Sequence, residues 1–145
     1  MLANALVLVA ALAGAAPARN PPPTGVWITA DRSAIIQFGS CASRLCATLV
    51  WAREGLTGRD EQNHDARLRY RPLCNLAIVG GLSPDGDDKW AGGWFYDPES
   101  GATYRLRLTR GSSAIKLFIM DEKDRVLETE TLRPVPSYER CAGAK

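Results

Sequence analysis

Apolar and polar residues alternate with a period of two along most of this chain. From residue 24 onward the alternation resolves into eight short runs separated by turn signals. The runs cover residues 24–29, 34–38, 46–52, 73–79, 90–96, 102–109, 114–120 and 125–132. Most connections carry the residues that tight turns need: Asp31-Arg32-Ser33, Ser83-Pro84-Asp85-Gly86-Asp87, Asp97-Pro98-Glu99-Ser100-Gly101 and Arg110-Gly111-Ser112-Ser113. No stretch beyond the first eighteen residues sustains a 3.6-residue apolar period. The pattern predicts an all-β domain. Eight sequential hairpin-connected strands favour a small antiparallel meander closed into a barrel, with a two-layer β-sandwich of the same strands as the alternative.

The densest pattern lies between Lys89 and Tyr104, where an aromatic hairpin turns at Asp97-Pro98 and closes at Gly101. A strict period of two puts Trp90, Gly92, Trp94 and Tyr96 on one face and Ala91, Gly93 and Phe95 on the other. Trp90, Trp94, Tyr96 and Tyr104 are therefore candidates for a ligand-cavity wall. A packed aromatic core with a bulge explains the same residues. Asp97 is the rim residue of this hairpin, and capping of its own turn is the simpler role for it.

The alternation fails only between residues 53 and 72, the one long connection. Loops of that length in compact domains are functional or disordered. Here Asp65 is placed to cap one helical turn in Ala66-Arg67-Leu68-Arg69-Tyr70, which Pro72 would stop. Asp60, Asn63, Arg69 and Arg71 are the polar residues of this loop that a ligand would meet if it lay over a barrel mouth. Five arginines and four acids are mixed along it, so a self-paired lid accounts for them as well as an anion site does.

Composition then narrows the class. The 145 residues are 46% hydrophobic and 23% charged, which suits one globular domain, and the net charge of +2 is too balanced to mark nucleic acid as the partner. Residues 1–18 carry no charged side chain and read as a secretory signal peptide, with small-residue cleavage sites ending at Ala15 and Ala18. Residues 19–23, with Pro21, Pro22 and Pro23, read as an extended spacer, residues 24–133 as the barrel domain, and residues 134–145 as a C-terminal tail. Export to the periplasm or beyond, with no membrane span left after processing, gives the four cysteines a disulfide reading. Of the three possible pairings, Cys41 with Cys46 and Cys74 with Cys141 is preferred. A four-cysteine zinc site lacks any C-x-x-C pair, so no metal and no cofactor is implied.

Catalytic constellations are thin. His64 is the only histidine, and no serine or cysteine sits in a nucleophile motif. Glycosidase-like chemistry would draw on Asp60, Asp65, Asp97 or Glu99. The balance is against an enzyme. It favours a binder of a small or lipid-like molecule, then an envelope interaction protein with a filled barrel, and last a polysaccharide hydrolase.

A linked set of motifs carries a resemblance. Gly25-Val26-Trp27, Cys41 and Cys46, Val50-Trp51, Asp60, Asn63, Asp65, Leu68-Arg69, Arg71-Pro72-Leu73, Trp90, Gly92-Gly93, Tyr96-Asp97-Pro98, Gly101 and Tyr104 together resemble the secreted bacterial family catalogued as domain of unknown function 2147. The resemblance implies a small lipocalin-like barrel. In such barrels the tryptophan of the G-x-W opening plugs the base under a late arginine, which assigns Trp27 as plug and Arg133 as its cation–π partner. The chain departs from the family pattern in its last third, at Ile115-Lys116-Leu117-Phe118 and at Thr131-Leu132-Arg133-Pro134. A Cys74 to Cys141 bridge is expected to compensate for the closure there.

Overall fold

A computed structural model describes residues 21–142, so the signal segment lies outside the described residues. Eight antiparallel strands form a closed barrel in chain order: β1 (Gly25–Thr29), β2 (Ala34–Cys41), β3 (Arg44–Ala52), β4 (Leu76–Pro84), β5 (Lys89–Asp97), β6 (Ala102–Arg110), β7 (Ile115–Met120) and β8 (Val126–Pro134). Each strand pairs with the next, and β8 returns to β1 through Trp27 with Pro134, Ile28 with Arg133 and Thr29 with Leu132. Closure leaves no sandwich. The long connection contributes one 3-10 turn, Ala66–Leu68, with Asp65 accepting from the Arg67 N–H as its cap.

The meander places alternate turns at opposite ends, and the two ends differ. Trp27, Phe38, Leu45, Leu82, Trp90, Leu108, Ile115 and Leu132 are buried together at the end that holds the β2–β3, β4–β5 and β6–β7 turns. Each large side chain buried there contributes roughly 1.5–3 kcal/mol of transfer free energy. The Trp27 indole N–H donates to the Thr24 carbonyl at 3.3 Å. Pro23 is fully buried and Arg110 donates to the Pro21 carbonyl, so the end of the proline run is held to this closed end while Pro21 and Pro22 stay exposed. Arg133 does not cover the plug. It pairs with Ile28 on the outward register and is exposed, and the described cation–π contacts are Arg107 over Phe118 and Arg140 over Tyr138.

Two glycine pairs bend the wall. β4 runs through Gly80-Gly81 instead of ending there, and β5 runs through Gly92-Gly93 beside it, with Gly81 and Gly92 both at positive φ. The β5–β6 register slips between Trp90 and Gly93, which is a β-bulge. A Cβ on Gly93 would lie 2.6 Å from the Leu82 side chain, and one on Gly80 would lie 2.5 Å from the Trp94 indole. The extra residue reverses the inward face. Trp90 points into the closed end, whereas beyond the bulge Phe95 points inward and Trp94 and Tyr96 point out. The strict alternation expected across this strand therefore fails at the bulge.

Both expected disulfides are present, Cys41 to Cys46 at the β2–β3 turn and Cys74 to Cys141 between the long connection and the tail. The tail is held to the outer wall, with the Cys141 N–H donating to the Val50 carbonyl at 2.7 Å and Arg140 donating to Asn75 and Gln37.

Candidate functional site

The end opposite Trp27 is open. A cavity of about 430 Å³ enters the barrel between the β1–β2, β5–β6 and β7–β8 turns and the end of β3. Its size falls in the range of small-molecule sites. The deep wall is apolar: Ile36 from β2, Leu49 from β3, Ile78 from β4, Phe95 from β5, and Leu117 and Ile119 from β7. Each is inward because register links it to a buried or inward neighbour, as Ile36 with Leu49, Phe95 with Tyr104 and Leu117 with Glu130. Ala34 and Ala52 pair across β2 and β3 at the upper wall, and their small side chains leave the volume open. The Phe95 and Tyr104 rings stack with centroids 6.4 Å apart.

The rim is acidic. Glu54, Asp97, Glu99, Glu128 and Glu130 line it, against Arg53. Asp97 is occupied by its own turn, accepting from the Glu99 N–H at 3.0 Å and the Ser100 hydroxyl at 2.7 Å. Arg53 donates to the Asp31 carbonyl of the β1–β2 turn. Hydrogen bonds from Ser33 and Thr29 hold the Asp31 carboxyl down at about 2. Glu128 and Glu130 share the inward face of β8 with buried Leu132, opposite Ile119 and Leu117. Glu130 stands where β1 has ended and accepts the Ala30 N–H at 3.2 Å across that gap. Desolvation raises its carboxyl above the ordinary value, and the charges of Asp31 and Glu128 add to the effect.

Beyond Arg53 and Glu54 on the rim, the long connection lines none of this cavity. It folds against the outside of β5, where the Asp60 carboxylate is fully buried and accepts from the Tyr96 hydroxyl at 2.5 Å, the Asn63 amide at 2.8 Å and Arg71 at 2.8 Å. Burial pushes Asp60 upward, but the three donors outweigh it and hold the acid below its usual value. Burial, then the hydrogen bond and charge of Asp60, push the Tyr96 phenol up to about 12. Arg69 donates to the Asn63 carbonyl at 2.7 Å, and the Arg71 Nε is buried without a partner. This is a self-paired loop, and its polar centre is an anchor sealed from the cavity.

Of the residues singled out from the sequence, Asp97, Glu99 and Tyr104 line the cavity. Trp90 lies in the closed end, Trp94 covers Gly80 outside, and Tyr96, Asp60, Asn63, Arg69 and Arg71 belong to the loop anchor. Phe95 was hidden by the bulge that inverted the strand's faces. Glu128 and Glu130 carried a readable signal, since they share the period of two with Leu132 and so were bound to follow a core residue inward.

Residues 25–120 match the model of a family described as an uncharacterized protein conserved in bacteria, DUF2147. A solved structure is also similar: protein HP1028 from the human pathogen Helicobacter pylori, which is described as belonging to the lipocalin family. It aligns with a TM-score of 0.70 at 19% sequence identity over 77% of this chain and 82% of that one. No curated protein matches the chain.

Proposed function

The chain belongs to the bacterial DUF2147 family, and we propose that it is an exported barrel that binds a small apolar or lipid-like molecule in its open mouth. The observation that carries this reading is the half-filled interior. One end is packed solid around Trp27 and Trp90, while the other keeps a cavity of about 430 Å³ with an apolar deep wall. A barrel serving only as a scaffold has no need of Ala34 and Ala52 facing each other where larger residues would fill the space. The lipocalin-like architecture is compatible with such a role. Two disulfides support an oxidising compartment, and among the described residues no helix is long and apolar enough to cross a membrane. Hydrolase chemistry finds little support, because Asp60 is sealed under Tyr96 and Arg71 and Asp97 is engaged in its turn.

The test is direct. The oxidised protein should enhance the fluorescence of the apolar probe N-phenylnaphthylamine, and gentle purification followed by native mass spectrometry should reveal a bound small molecule. Ala52→Trp fills the upper cavity and should abolish probe binding without lowering the melting temperature. A wild-type protein that leaves the probe dark, or an Ala52→Trp variant that binds it equally well, refutes the reading.

A further inference from the structure

The cavity mouth has a polarity that a purely apolar ligand does not use. Its deep wall is hydrocarbon and aromatic, and its rim gathers five carboxylates against one guanidinium. That guanidinium, Arg53, is turned to the Asp31 carbonyl. Asp97 ends β5 and is spent on its own turn, whereas Glu128 and Glu130 are set within a strand. Glu128 and Glu130 project from the inward face of β8 directly above Ile119 and Leu117, so their carboxylates border the apolar wall itself. Glu128 makes no ion pair among the described residues, and Glu130 accepts one backbone N–H. An inward glutamate next to a core leucine costs free energy unless something compensates its charge. The Ala30 N–H compensates Glu130 only in part: β7 presents Leu117 and Ile119 to this pair, and the β1–β2 turn adds the negative Asp31.

The acids are spread along the rim. Among the described residues no three His, Cys, Asp or Glu side chains converge tightly enough to chelate a metal ion. A diffuse negative wall on an apolar cavity that also holds stacked aromatic rings suits an organic cation with an apolar body, whose charge pairs with the carboxylates while its body lies on the apolar and aromatic wall. Resting on the reading of this cavity as the binding site, we propose that its ligand is a cationic amphiphile, with an alkyl or aryl body against Phe95, Leu117 and Ile119 and an ammonium group held by Glu128 and Glu130.

Three ten-carbon probes separate head-group charge from chain: decylamine, decanol and decanoate, each below its aggregation limit, displacing N-phenylnaphthylamine from the oxidised full chain. Decylamine is expected to bind about tenfold more tightly than decanol, with decanoate weakest, and its advantage to shrink with added salt. The double variant Glu128→Gln with Glu130→Gln should bring decylamine down to the affinity that the same variant shows for decanol. Glu128→Gln alone, at an exposed position, should lose part of the preference and guards against a folding defect in the double variant. Equal affinities for the three probes, a preference for decanoate, or an undiminished preference in the variants overturns the charge assignment while leaving the cavity reading intact. Failure of N-phenylnaphthylamine itself to bind brings down both.

Discussion

The Tyr96 hydroxyl donates to the Asp60 carboxylate at 2.5 Å, on the opposite side of β5 from the cavity that Phe95 lines. One strand thus anchors the long connection with one face and forms the binding wall with the other. Removing the phenol leaves a buried carboxylate oxygen without its donor, so Tyr96→Phe should cost roughly 1–3 kcal/mol in urea unfolding at pH 7. Asp60→Asn should cost a similar amount, about 3 kcal/mol, because it breaks a buried ion pair. Asp60 is held below its ordinary value, so its contribution is present above the unfolded-state value and is lost as pH falls through the folded one. The wild type should therefore lose stability toward pH 3 more steeply than Asp60→Asn, and parallel acid limbs would refute this.

Gly101 is the second attachment point of that loop. It has φ of 74°, and a Cβ there would lie 1.9 Å from the Gln62 carbonyl oxygen, which is backbone and cannot swing aside. Gly101→Ala should lift the loop off the β5–β6 turn at a cost of more than about 2 kcal/mol, combining left-handed strain with a clash. Hydrogen exchange should then accelerate at the amides of Asp60 and Asn63, while probe binding at the mouth persists. Loss of probe binding in this variant would mean that the loop shapes the cavity after all.

Much of this architecture was legible in the sequence for a physical reason. Turn residues such as Asp97-Pro98 and Asp31-Arg32-Ser33 act locally, and period-two alternation reports the burial of one wall face, so strand number and meander order followed from them. The candidate site was less legible because it depends on which face is inward, and one inserted residue reverses that. The Gly92-Gly93 bulge exchanged Trp94 and Tyr96 for Phe95 as the inward residues. Gly80-Gly81 resembled a strand end for a related reason: a glycine pair, here with Gly81 at positive φ, marks a turn and a barrel corner alike. The closeness of Gly101 to Gln62 and of Tyr96 to Asp60 is tertiary, and no local pattern reports it.

The two disulfides should differ in worth. Cys74 to Cys141 closes 67 residues of separation and ties the tail over Val50, whereas Cys41 to Cys46 closes 5 within a hairpin whose strands are already paired. On loop-entropy grounds the Cys74→Ala with Cys141→Ala variant should lose about 4 kcal/mol and the Cys41→Ala with Cys46→Ala variant about 2 kcal/mol. Thermal unfolding of both double variants beside the wild type checks the order. Equal losses would show that the tail is held by Arg140 and the Val50 carbonyl without the bridge.

Glu130 should show the stability cost of its inward position. Its carboxyl is raised by desolvation first and then by Asp31 and Glu128, with the Ala30 N–H opposing. A raised acid favours the folded state while protonated, so that contribution is present below the unfolded-state value and is lost as pH rises through the folded one. At pH 7 the ionised side chain therefore works against folding. Glu130→Gln keeps an oxygen for the Ala30 N–H and removes the charge. The variant should be more stable than the wild type at pH 7, by only about 0.5 kcal/mol since the site is partly open to solvent, and indistinguishable from it near pH 3.5. Urea midpoints at the two pH values decide this. A variant less stable at pH 7 would mean that Glu130 has a compensating partner in the free protein, and the same finding would weaken its assignment to a cationic ligand.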